Sequence, residues 1–236
     1  MITSITYLLL LFILGILLPL NGIMSGKRIK KSLSDNPLGR MMFYQQTIGI
    51  QIILSVLVFV VMTINRDSFI EIGLSFLDQL LQVLGLLAAC FLGWWLLWIY
   101  RFDQQKIKRE IERDAAVKFL LPSTYKEYRW SIGASLAAGI SEEIVFRGFL
   151  YWQLAQILTV VPAILLTNFI FGLCHYGTGL KNAFLAFGLG VLLSGIFLYT
   201  ESLWIPMMIH VLTDIYSMTK GKRYFDQNPE ESVVSD

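Results

Sequence analysis

Charge is scarce in this sequence. Asp, Glu, Lys and Arg make up 15% of its 236 residues, against 56% for the hydrophobic types, and that balance excludes an ordinary soluble domain with a polar surface. Cysteine is scarcer still. Cys90 and Cys174 both lie inside apolar runs and read as small core residues rather than as a disulfide. Internal repeats and low-complexity segments are missing. The first apolar run, about residues 5–23, lacks the basic stretch that precedes the core of a signal peptide. Its basic residues follow it instead, in "GKRIKK" (26–31), as in an uncleaved anchor. A net charge of +2 gives no reason to expect a nucleic-acid partner.

Long apolar runs are what the chain has in abundance. Those at about 4–24, 42–64, 79–100, 130–151, 154–176, 183–200 and 203–219 approach or exceed the roughly 18–20 residues needed to cross about 30 Å of hydrocarbon. The expected fold is therefore all-α, a multi-pass transmembrane bundle of about seven spans, integral to the plasma membrane. The connecting segments alternate in charge. Segments 25–41, 101–129, 177–182 and 220–236 hold 17 of the 19 basic residues, leaving only Arg66 in an opposite loop and Arg147 within a span. The positive-inside rule then predicts an outside N-terminus and a cytoplasmic C-terminus. The segment "RDSFIEIGLSFLDQ" (66–79) has helical apolar spacing and is expected in the outer interface. The stretch "QQKIKREIERDAAVKFL" (104–120) mixes charge signs at i,i+3 and i,i+4 spacings, which predicts an amphipathic cytoplasmic helix ended by Pro122. The division follows: 1–121 as N-terminal spans with this connecting helix, 122–219 as the working core, and 220–236 as a disordered cytoplasmic tail.

Ionisable residues inside spans single out the core. A charge at the bilayer centre costs about 2.5–3.5 kcal/mol on insertion scales, so a functional site is the default reading of one. "GISEEIVFRGFLYW" (139–152) carries three. At about 100° per residue, Arg147 lies near Glu143 on the helix surface and far from Glu142, so Glu143 is its natural ion-pair partner and Glu142 faces elsewhere. Both histidines of the protein, His175 and His210, fall in or at the edge of spans. Phe171 shares a helix face with His175 and can restrict its imidazole; Asp214 shares one with His210 and can orient it or join it. Converging on one cavity, these groups could activate water, coordinate a divalent metal or relay protons.

The motifs "EEIVFR" (142–147), "FGLCH" (171–175) and "HVLTD" (210–214) resemble the EExxxR, FxxxH and HxxxN/D set of the CPBP-family intramembrane endopeptidases, which include CAAX prenyl proteases and bacteriocin-processing enzymes. The resemblance covers about 122–219. It implies that Glu142 activates the attacking water with His175, that His210 and Asp214 stabilise the oxyanion, and that Glu143, Arg147 and Phe171 support them. Asp214 departs from the commoner asparagine, and an ionised carboxylate cannot donate to an oxyanion. The resemblance also favours hydrolysis without a cofactor. Zinc is the rival, since two imidazoles and carboxylates suit it, but the HExxH spacing of zinc hydrolases is missing. The partners implied are the lipid bilayer and a membrane-associated or lipid-proximal peptide. A non-catalytic protein of the same fold (bacteriocin immunity or scaffolding) and a proton-linked transporter are the competing classes.

Overall fold

The apolar runs fold as helices, and the few prolines mark where those helices start or distort. The computed structural model describes residues 4–34, 36, 38–75, 84, 87, 90–91, 94–95, 104–113 and 118–231. Among these residues there are seven helices and no strand. Helix α1 covers 5–34 and widens into a π turn at Ile13–Leu17. Pro19 follows directly, with no N–H for the carbonyl of residue 15, and the widened turn accommodates that missing bond. Helix α2 is Gly39–Asn65 and α3 is Gln104–Arg113. Helix α4 covers 125–154, with a π-helical stretch at Glu143–Leu150. Then come α5 (Val160–Cys174), α6 (Leu180–Thr200) and α7 (Trp204–Gln227). Pro162 and Pro206 occupy first turns, where an N–H would lack a partner anyway.

Three of these helices are long and apolar enough to cross a membrane: Ile5–Lys31, Gly39–Asn65 and Leu180–Thr200, with mean hydropathies of 2.3, 2.5 and 2.0. The expected span at 79–100 lies outside the described residues apart from isolated positions. Of the segment 66–79 expected in the outer interface, residues 66–75 are described, and Phe69–Ile72 makes a short 3₁₀ turn. That turn is anchored to the bundle, because Ile72 is fully buried and Gly73 (φ 84°) turns its carbonyl to accept from Leu203 N–H at 3.1 Å. One expectation is corrected: the tail expected to be disordered from residue 220 is helical over much of its described length. α7 runs on to Gln227 because Tyr224 and Phe225 bury against Ile107, Ile111 and Leu121.

Around this apolar cluster the basic segments gather at one end of the bundle. Arg40 donates to Phe119 O (3.0 Å) and Ser123 Oγ (2.8 Å), and its guanidinium lies over the Phe225 ring. Lys220 pairs with Glu110 at 2.9 Å. Lys118 and Tyr224 both bond Glu231, which holds that carboxyl below the usual carboxylate range. A capping box between Thr124 and Glu127 starts α4 at the same level. From there α4 carries Glu142 into the apolar part of the bundle.

Two glycines on α1, one turn apart, bring the N-terminal helix onto the core. A Cβ at Gly22 would fall 2.5 Å from the Cys174 carbonyl oxygen, and one at Gly26 would overlap Gly177. Backbone-to-backbone approach of this kind is how small residues pack helices in membranes. It sets α1 against the end of α5, beside His175.

Candidate active site

Helix α4 delivers two carboxylates to two different environments. Glu143 is fully buried, and its Oε1 accepts from Arg147 Nη1 at 3.0 Å and from His210 Nδ1 at 2.7 Å. Arg147, also fully buried, donates from Nη2 to Asn168 Oδ1 at 3.2 Å, and its guanidinium carbon lies 4.4 Å from the centre of the Phe171 ring. Asn168 in turn donates to Ser194 Oγ at 2.9 Å. The i,i+4 pairing expected of Glu143 and Arg147 is thus present, and it extends across α5 and α6. Gly190 is required there, since a Cβ would collide with both Asn168 and Arg147.

Glu142 faces the other way. Its Oε1 accepts from Gln51 Nε2 at 2.7 Å, and its Oε2 lies 3.7 Å from His210 Nε2. It lines a cavity of about 340 Å³ together with His175, Cys174, Phe146 and Gln51, walled on the far side by Asn21 and Ser25 of α1 and Gln46 of α2. Ile29, Phe43 and Gln46 also line a smaller cavity of about 200 Å³ that reaches Arg28. The two cavities thus share a wall, and the smaller one lies toward the end of the bundle where the basic segments gather.

The two histidines are held in defined orientations. His175 caps α5 and its Nδ1 bonds the Phe171 carbonyl at 2.9 Å. A carbonyl only accepts, so that nitrogen carries a proton, and Nε2 is the ring nitrogen left to meet a water or substrate. The Phe171 ring packs edge-on against it, 4.6 Å between centroids. His210 donates from Nδ1 to Glu143, so Glu143, not Asp214, orients this imidazole. Asp214 Oδ2 lies 3.9 Å from His210 Nε2, within ion-pair range but beyond a hydrogen bond, and its side chain is one-third exposed. Gly139 permits this meeting of α4 and α7, for a Cβ there would lie 2.7 Å from Val211 N. The structure therefore brings Glu142, His210 and Asp214 together and puts His175 on the cavity that Glu142 lines, whereas His210 and Asp214 lie outside that lining. Among the described residues no three His, Cys, Asp or Glu side chains form a group able to hold a metal ion.

Residues 125–216 match the family described as type II CAAX prenyl endopeptidase Rce1-like. Over that region the chain is similar to an Rce1-like domain. The matched region takes in α4, α5, α6 and the first half of α7, which carry all seven residues singled out by the motifs. At the coarse level this family indicates a protease of the CAAX type in an integral membrane protein. Helices α1, α2 and α3 lie outside the match. No curated protein and no solved structure is significantly similar to the chain.

Three polar residues bonded into the site carried no sequence signal of charge: Gln51, Asn168 and Ser194. Their only mark was a neutral polar side chain within an apolar run. Gln51 is the unexpected one, because it comes from α2, outside both the motif set and the matched region.

Proposed function

We propose that the protein is an intramembrane endopeptidase that hydrolyses a peptide bond with water activated by Glu142 and His175. The observation that carries this reading is the pairing of environments on α4. Glu143 and Arg147 are sealed in a buried network, while Glu142, one residue earlier, lines a cavity shared with His175. In the proposed reaction, water between the two gives a proton to Glu142 as its oxygen attacks the substrate carbonyl carbon. His175 Nε2 accepts the bond from the water's second proton. Charge then develops on the carbonyl oxygen, where a doubly protonated His210 donates from Nε2 while Glu143 holds its Nδ1–H. Asp214, if protonated, adds a second donor. Collapse of the tetrahedral intermediate breaks the C–N bond, and Glu142 returns its proton to the leaving amine. The substrate is a membrane-associated or lipid-proximal peptide that reaches the cavity from the basic end, and no metal takes part.

Incubating the detergent-purified protein with a peptide library in the presence of a chelator tests this. New peptide termini, identified by mass spectrometry, are the expected result. A folded protein that leaves every peptide intact would overturn the endopeptidase reading, and cleavage only on adding Zn²⁺ would replace its chemistry.

Asp214 yields a sharper expectation. Asparagine has nearly the same shape and offers N–H donors at any pH. As an oxyanion donor, position 214 should tolerate Asp214→Asn with activity kept or raised near neutrality, while Asp214→Ala should lose about 10²–10³-fold. Glu143 already orients His210, which removes the competing task for Asp214. A folded but inactive Asp214→Asn protein would eliminate the donor role.

The gathering of the basic segments at one end supports a cytoplasmic C-terminus and an outside N-terminus. Reporter fusions after Lys220 and at Met1 should therefore be active on opposite sides of the membrane. A C-terminal reporter active only outside would reverse the orientation.

A further inference from the structure

We propose that Gln51 of α2 is a positioning residue for Glu142, so that the catalytic unit extends beyond the Rce1-like region into the N-terminal helices. The inference rests on the endopeptidase reading and adds to it a group that neither the motifs nor the family match contains. Gln51 is 8% exposed and its Nε2 meets Glu142 Oε1 at 2.7 Å. A carboxylate only accepts, so the amide must present its NH₂ there and turn its own oxygen away. That Oε1 has no partner among the described residues. Leaving a buried acceptor unpaired is destabilising, a cost that an apolar residue at this position would avoid. Joining α2 to α4 does not require the amide either. Ser141 Oγ already donates to the Gln51 backbone carbonyl at 2.6 Å, and Ser55 Oγ to Ser141 Oγ at 2.8 Å.

These serine bonds hold the Gln51 backbone one residue from the base it addresses. The side chain then ties down one oxygen of Glu142, leaving Oε2 on the side of His210 Nε2. A general base held in one orientation spends less of its time in unproductive geometries, and a misplacement of about 1 Å can cost around 10²-fold. Neither bond lies within the matched region alone: each needs α2.

The test is kinetic, on a quenched-fluorescence peptide built from a sequence that the wild-type protein cleaves. Gln51→Met keeps the length of the side chain and removes its donors. It should lower kcat by about 10–10²-fold and leave KM within about twofold. Gln51→Asn, which retains an amide drawn back by one methylene, should fall between and serves should Gln51→Met fail to fold. In a Glu142→Gln background the Gln51→Met change should add little further loss, because its effect passes through the Glu142 carboxylate. A merely structural role would instead lower both backgrounds alike. Folded Gln51→Met and Gln51→Asn proteins with wild-type kcat, or losses that add fully to that of Glu142→Gln, would overturn the proposal and leave the endopeptidase reading intact. A wild-type protein that cleaves no peptide would overturn the two together.

Discussion

Glu142→Gln should slow peptide cleavage by about 10²–10⁴-fold, the usual loss when a positioned acid–base group is removed, without a matching loss of fold. The two halves of that expectation come from its surroundings. The Glu142 side chain is 15% exposed and Arg147 does not depend on it, since the guanidinium is bonded by Glu143 and Asn168. Glutamine preserves size and polarity at the cavity wall but cannot take a proton from water. Thermal unfolding in detergent should therefore stay close to wild type while turnover collapses. His175→Ala and His210→Ala should fall comparably in rate, the former through the water and the latter through the oxyanion. Full turnover by a folded Glu142→Gln protein would remove Glu142 from the chemistry.

The opposite pattern is expected one residue along. Arg147→Met should destabilise the folded protein by about 3–5 kcal/mol, because it strips the fully buried Glu143 carboxylate of its guanidinium partner. Removing both charges together, as Glu143→Gln with Arg147→Met, should recover most of that loss. Glutamine at 143 can still accept from His210 Nδ1, so the imidazole keeps its orientation. Arg147→Lys should lie between: lysine restores a charge but cannot bond Glu143 and Asn168 at once while stacking on Phe171. Unfolding temperatures of the single and double variants, measured in one detergent, give the comparison. A double variant no more stable than Arg147→Met would show that the pair itself, not the uncompensated charge, holds these helices.

What the sequence by itself determined was local or collective. Glu143 and Arg147 share one helix, so their pairing followed from four residues of spacing, as did the edge-on packing of Phe171 against His175. The all-α fold and the common end for the basic segments followed from hydrophobic runs and charge counts, which no packing detail could reverse. The disordered tail failed because it was judged by its own composition, and the anchoring of the turn at Phe69–Ile72 was not legible for the same reason. Ile72, Tyr224 and Phe225 are buried by partners distant in the chain, and those partners decide their conformation.

The tertiary structure alone decided how the site is wired. Sequence spacing offered Asp214 to orient His210; the fold gives that task to Glu143, 67 positions away, because Gly139 lets α4 and α7 close to backbone contact. It alone made α1 and α2 the far wall of the cavity, through the approach of Gly22 and Gly26 to the end of α5. It alone set Gln51 on Glu142. A neutral amide in an apolar run carries no charge to announce it, and whether such a group faces lipid, a neighbouring helix or a catalytic carboxylate depends on rotation and approach that only packed helices define.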